Sequence, residues 1–181
     1  IPIEAKAGVI PQVFSVQGSN TAESLKEFIP ELKTILIPSY KSAFVWNNKN
    51  KNKLSKSNHI IVALPISIEV SRYIISMIIE MCKNEMYPSS NYNIILKPHP
   101  TRSEDELYPQ LLDTFPRNVR FTNEKSFPKL LHSAIVLITA ASSTCLEAIS
   151  IGIPVIIIKR NNGLFFNPIP KDIDEELYKV C

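Results

Sequence analysis

Two short stretches hold the residue types best suited to chemistry. The first is Lys97-Pro98-His99-Pro100, where an apolar run beginning at Asn93 ends abruptly. His99 stands between two prolines, on a turn stiffened from both sides, so its imidazole is aimed at little entropic cost. A histidine held in that way can donate a hydrogen bond to a phosphate oxygen, or act as a general acid near neutral pH. It can equally be a structural turn residue. Lys97 can add charge to the same anion or can simply flank the strand. The second stretch is Ser142-Ser143-Thr144, followed by Glu147, where the run 135–139 gives way to small residues that open a helix. A helix N-terminus offers unpaired N–H groups and a partial positive charge, which suit phosphate. Ala140 and Ala141 leave room for an anion, and the three hydroxyls add donors. Capping is the competing explanation. Ser143 is a good N-cap, and Thr144-x-x-Glu147 has the spacing of a capping box. Three consecutive hydroxyls exceed what a cap needs. Glu147 either closes that box or offers two acceptors to a ribose diol.

Other polar residues carry weaker signals. Arg102, Lys159 and Arg160 are further candidates for the same anion, each better read as surface than as site. His132 reads as a helix end and His59 as a strand start. No His, Cys, Asp or Glu spacing suits a metal, and no cofactor is expected. With four glycines and no GxGxxG or Walker pattern, dinucleotide and P-loop readings have no support.

These residues need elements that bring them to one place. The run 59–64 is apolar, β-branched and short, as suits a strand buried on both faces of a parallel sheet. A long helix should follow, from Ser67 or Ile68 to about Met86, with Val70, Tyr73, Ile74, Met77, Ile78 and Met81 as its core stripe. Residues 87–90 break it. Next the pattern predicts strand 93–97, helix 104–114, strand 119–122, helix 126–133, strand 135–139, helix 143–151 and strand 154–158, with a last helix over 172–180. Strands and helices that alternate in this way imply an α/β fold, a Rossmann-like parallel sheet flanked by helices. In such sheets ligands sit outside the carboxyl ends of the strands, where both stretches fall. The first part of the chain predicts a helix end at 3–7 stopped by Gly8, strand 11–16, a helix opened by Thr21 and ended near Pro30, and strands 34–37 and 42–46. The Asn/Lys-rich stretch 47–56, with one helical turn around Leu54, is the most linker-like. The expected organisation is therefore a segment over 1–58 and a second domain over 59–181.

Bulk properties exclude several classes. The 181 residues, 45% apolar and 20% charged, can build a real core. A formal charge of +3 is too mild to imply nucleic acid. The lysines of 47–56 form either a solvated loop or a surface facing anionic lipid or a polyanionic acceptor. Cys82, Cys145 and Cys181 are odd in number and widely spaced, so a reducing cytosolic compartment is expected. No run reaches membrane-spanning length, and no secretory signal is expected. The start at Ile1, without Met, suggests a fragment of a longer protein.

Three motifs together, Lys97-Pro98-His99-Pro100, Ser142-Ser143-Thr144-Cys145-Leu146-Glu147-Ala148 and Gly152-Ile153-Pro154-Val155, resemble the donor half of a bacterial GT-B glycosyltransferase. The group with the same His-Pro and Ser-Ser motifs comprises polysialyltransferases, capsule-polysaccharide enzymes and teichoic-acid glycerophosphotransferases. The stretch from Glu4 to Gln17-Gly18 is similar to one that often ends Gln-His-Gly in such enzymes; here the His is absent. The resemblance implies one half of a GT-B architecture. Residues 1–58 would be the end of the N-terminal domain and the linker, and 59–181 the nucleotide-sugar donor domain. It implies that His99 binds the donor phosphate and acts as general acid, and that Ser142 and Ser143 bind the same phosphate. The donor would be CMP-, CDP- or UDP-linked, and the reaction would need no metal. The glycan acceptor and the catalytic base would belong to a missing N-terminal domain, leaving this fragment inactive alone. The expected role is surface polysaccharide synthesis, of capsule or lipopolysaccharide, in the cytoplasm or at the inner face of the membrane by peripheral contact. Two other readings are a nonhydrolysing sugar-nucleotide 2-epimerase of the same fold and a non-catalytic nucleotide-binding module.

Overall fold

A computed structural model describes residues 2–38, 58–84, 91–107, 115–159, 167–170 and 173–181. The chain divides into two compact units, Ile1–Asn47 and Asn48–Cys181. The expected strand 42–46, the lysines of 47–56, the turn at Leu54, the break at 87–90, Arg160 and the helix beyond Leu107 lie outside the described residues.

The first unit is small. Helix α1 (Pro2–Lys6) stops at Gly8, whose φ of 68° is one that L residues rarely adopt. Strand β1 (Val13–Val16), helix α2 (Ser19–Phe28) and strand β2 (Lys33–Leu36) then form a βαβ unit with the strands parallel. Its core is Val16, Ala22, Ile29 and Leu32.

The second unit holds a six-stranded sheet. Its strands are β3 (His59–Ala63), β4 (Asn93–Lys97), β5 (Val119–Phe121), β6 (Ala134–Thr139), β7 (Val155–Ile157) and β8 (Tyr178–Val180). The order is β5-β4-β3-β6-β7-β8 and every pairing is parallel. Counted within this unit, that is the doubly wound order 3-2-1-4-5-6, with the direction of winding reversing between β3 and β6. Helices α3 (Ile68–Lys83), α4 (Glu104–Leu107), α5 (Phe127–His132) and α6 (Thr144–Ile149) connect the strands.

Both faces of the sheet are buried, as the unbroken apolar runs require. Val62, Ile94, Leu96 and Ile138 pack with Ile74, Ile75, Ile78 and Ile79 of α3. Ile61, Leu137, Val155 and Ile157 pack with Leu130 and Leu131 of α5 and with Cys145 and Ala148 of α6. Successive residues of one strand enter opposite layers because side chains alternate across the pleat.

The structure departs from the sequence expectation in two places. Tyr73 was expected in the stripe of α3, yet it is 38% exposed, and the buried row is Ser71, Ile74, Ile75, Ile78 and Ile79. The stripe is rotated toward the paired isoleucines, which pack against Val62, Ile94 and Leu96 of β3 and β4, while the buried Ser71 hydroxyl donates to Pro65 O at 2.9 Å. The second departure is the tail. Instead of a helix over 172–180 there is one 3₁₀ turn, Glu175–Leu177, and then β8. The Asp174 carboxylate accepts from Glu176 N–H at 3.0 Å and starts the turn. Half-buried Tyr178 and Val180 then alternate with exposed Lys179, which is strand periodicity, and the edge of β7 supplies the partner.

Candidate functional site

The two chemistry-bearing turns leave the sheet at one level. Ala63 ends β3 and pairs with Lys97 on one side and Thr139 on the other. Lys97, Ala63 and Thr139 thus stand in a row at the carboxyl edge, flanking the point where winding reverses. Adjacent strands are about 4.8 Å apart, so the outer two lie about 10 Å from each other. Two bonds tie the row together beyond the ladder. Thr139 Oγ1, in a residue only 1% exposed, donates to Ala63 O at 2.9 Å. Leu64 N–H donates to Lys97 O at 2.9 Å.

The turn after β4 is held by its own polar groups. Arg102 N–H donates to His99 O at 2.9 Å and closes a four-residue turn. Arg102 Nε donates to Ile66 O at 3.0 Å, which fastens this turn to the loop after β3. The ion pair from Arg102 to Glu106, 3.5 Å with both side chains well exposed, adds little. Arg72 on α3 donates to the carbonyls of Glu106 and Leu107 at 2.9 and 3.2 Å, satisfying acceptors of α4 that helix geometry leaves open. His99 Nδ1 lies 2.8 Å from Thr101 Oγ1 and accepts from Thr101 N–H at 3.3 Å. Lys97 Nζ folds back on Pro98 O at 3.3 Å.

A cleft of about 580 Å³ opens beside this turn, lined by Lys97, His99 and Arg102, by Glu104 at the start of α4, and by Asn123 and Lys125 after β5. Its size is that of a small-ligand site. The sequence expectation treated Arg102 as surface. The structure instead uses it as a clasp and as cleft wall. Thr101 is the residue that sequence reasoning missed. The only signal for Thr101 was its position two residues after a proline-bracketed histidine.

The turn after β6 is organised differently. Ser143 occupies the N-cap position of α6, but its side chain makes no capping bond. Ser142 Oγ accepts from Thr144 N–H at 3.4 Å, and Ser142 O from Cys145 N–H at 3.1 Å. Ser143 O accepts from Leu146 N–H at 3.1 Å. The backbone donors of the first turn are therefore engaged locally. The expectation of a row of free N–H groups is corrected at three positions: the 3₁₀-like start of α6 takes up Cys145 and Leu146 N–H, and the Ser142 hydroxyl takes up Thr144 N–H. The capping-box alternative through Thr144 does not form either, because Thr144 is already inside the helix. Its Oγ1 is buried with no hydrogen-bond partner. Glu147 sits half-buried in the first turn of the helix. Below these groups Cys145 is fully buried, and burial pushes its thiol pKa up, against the backbone hydrogen bonds that lower it. Gly152, at φ 81°, then turns the chain so that buried Ile153 and exposed Pro154 lead into β7.

The structure brings Lys97 and His99 together at one cleft. Ser142, Ser143, Thr144 and Glu147 gather on the other side of β3 and do not line that cleft. Among the described residues no helix is long and apolar enough to cross a membrane.

No family profile matches the sequence, and no characterised protein sequence matches it significantly. Solved structures do match. The pneumococcal O-GlcNAc transferase GtfA, in complex with UDP and GlcNAc, has a TM-score of 0.53 at 16% identity, covering 94% of this chain and 36% of its own. The glycosyltransferase SnogD from Streptomyces nogalater has a TM-score of 0.45 at 19% identity, over 57% of this chain and 26% of that one. KpsC from Thermosulfurimonas dismutans, a beta Kdo 2,4 transferase, has a TM-score of 0.39 at 17% identity, over 60% of this chain and 36% of that one. This chain therefore spans about a third or less of the length of each of these structures. At such identities the likeness is one of fold, and that fold is the Rossmann-like parallel α/β sheet found in GT-B glycosyltransferases.

Proposed function

We propose that this chain is the donor-binding part of a glycosyltransferase that takes a nucleotide-activated sugar. The observation that carries the reading is the row Lys97, Ala63, Thr139, which sets a histidine turn and a hydroxyl turn one strand to either side of β3, at whose border with β6 the winding reverses. A nucleotide phosphate placed over β3 would lie between His99 and Lys97 on one side and Ser142, Ser143 and Thr144 on the other. Glu147 would take the ribose diol. The charge that grows on the leaving phosphate is stabilised by His99 and the hydroxyls, without a metal ion, and His99 is the group placed to protonate it. The hydroxyls, and not the amides of α6, are the donors on that side.

The acceptor and the base that deprotonates it would come from a part of the protein beyond this chain. Surface-polysaccharide synthesis, of capsule or lipopolysaccharide, is the role that the His-Pro and Ser-Ser motifs favour. It would take place in the cytoplasm, with the Asn/Lys-rich stretch facing anionic lipid at the inner membrane face. The fold is equally compatible with epimerase chemistry, but no acid/base set for it is evident.

The test is calorimetric titration with CMP, CDP and UDP. One of them should bind the wild type, and His99→Ala and Ser143→Ala should each weaken that binding. In the full-length enzyme, loss of one such donor should lower the rate by ~10²–10³. A wild type that binds none of the three, or variants of unchanged affinity, would refute the phosphate site.

A further inference from the structure

We propose that Thr101 is a positioning residue for His99: it holds Nδ1 as an acceptor, so that the neutral ring carries its proton on Nε2. The weaker contact shows in which direction the stronger one runs. A threonine hydroxyl can donate or accept, so the 2.8 Å contact with Nδ1 fits either tautomer. The backbone N–H of Thr101 can only donate, and it points at the same nitrogen from 3.3 Å. A proton on Nδ1 would set two hydrogens against each other. Nδ1 is therefore the lone-pair nitrogen, and the hydroxyl donates as well.

The surrounding turn makes this arrangement stiff. Pro98 and Pro100 restrict the backbone on both sides of His99, and Arg102 N–H to His99 O closes the turn over Thr101. Arg102 Nε fastens the end of the turn to Ile66 O. The ring is thus oriented by the residue two positions on, with Nε2–H left to serve a ligand. Its use toward a phosphate rests on the function proposed above; the tautomer does not. With Nε2 as donor and Nδ1 as acceptor, the neutral ring of His99 would serve the phosphate by hydrogen bonding; proton transfer would require the doubly protonated ring, because a neutral ring that lost Nε2–H would be left as an imidazolate.

The experiment is a long-range ¹H–¹⁵N correlation on the whole chain with ¹⁵N-labelled histidine rings, recorded without ligand at about pH 8, above the ordinary histidine range. Three histidines are present, and His99→Gln identifies the His99 signals. The wild type should show the Nε2–H pattern. Thr101→Val, which keeps the shape but removes the 2.8 Å hydroxyl bond and leaves only the weaker backbone one, should give a mixture of tautomers, and Thr101→Ser should restore the wild-type pattern. UDP or CMP affinity should fall roughly fivefold in Thr101→Val, the worth of one ordinary hydrogen bond, and recover in Thr101→Ser. An Nδ1–H pattern in the wild type overturns the proposal, as does a Thr101→Val spectrum identical to wild type. If the tautomers behave as stated but no nucleotide binds the wild type, the positioning role stands and the phosphate reading falls.

Discussion

The two turns at the carboxyl edge handle the same kind of residue in opposite ways. After β4, nearly every polar group is engaged: His99 by Thr101, Arg102 by His99 O and Ile66 O, Lys97 by Pro98 O. After β6, the backbone is satisfied but hydroxyls are left over, with Ser143 making no cap and Thr144 Oγ1 buried without a partner. A buried hydroxyl without a partner costs about 1–3 kcal/mol, so such a residue has to be explained by something other than folding. One turn is built to present a single rigid ring. The other keeps its donors uncommitted.

This contrast can be broken at several points, of decreasing size. Leu137 is fully buried in β6, between Ile61 of β3 and Val155 of β7. Leu137→Ala should cost about 2–5 kcal/mol in urea unfolding and weaken nucleotide binding as a whole. A small loss would mean that the turns do not depend on the central strand pair. Thr144→Val should act with the opposite sign, raising stability by about 1 kcal/mol while lowering nucleotide affinity. If that variant is destabilised, the hydroxyl is not idle and the contrast collapses. Ser143→Ala should leave stability within about 0.5 kcal/mol. Ser67, whose Oγ accepts from Val70 N–H at 3.3 Å at the start of α3, should cost about 1 kcal/mol on replacement by Ala. Equal losses at the two serines would show that Ser143 caps after all.

The smallest effect at neutral pH concerns Cys145, whose native thiol pKa is raised by burial. The folded state then holds that proton more tightly than the unfolded chain does. The contribution is fully present below the unfolded thiol value and is lost as pH climbs through the raised native one. Stability should therefore fall on the alkaline side, and Cys145→Ala should remove that slope. Exposed Cys181 should be alkylated by iodoacetamide well before Cys145.

Much of the fold was legible because its signals are local. The β-branched run at 59–63 and the run at 93–97 can only be doubly buried strands, and both form as expected. Ser67 caps α3 as its position implies, because a cap needs only three neighbouring residues. The tail was not legible. Tyr178 to Val180 becomes a strand only because the edge of β7 lies open to receive it. Tyr73 was misplaced because periodicity gives the face of a helix to within one residue, and packing against β3 and β4 chooses the row.

For the candidate site the division is similar. The residue types, the proline-bracketed His99, the excess of hydroxyls at 142–144 and the small residues before them are properties of the chain itself. Which donors are free is a tertiary matter. The amides of α6 were expected to be available, but the tight turn at Ser142 and Ser143 consumes them. Arg102 became a clasp only because the loops after β3 and β4 are neighbours. Sequence alone determined that the chain alternates strands and helices, and that phosphate-binding chemistry clusters at two strand ends, since side-chain chemistry and periodicity are written residue by residue. Only the tertiary structure decided that these ends flank one strand, at one level and about 10 Å apart, because strand order and register come from pairings between residues far apart in the chain.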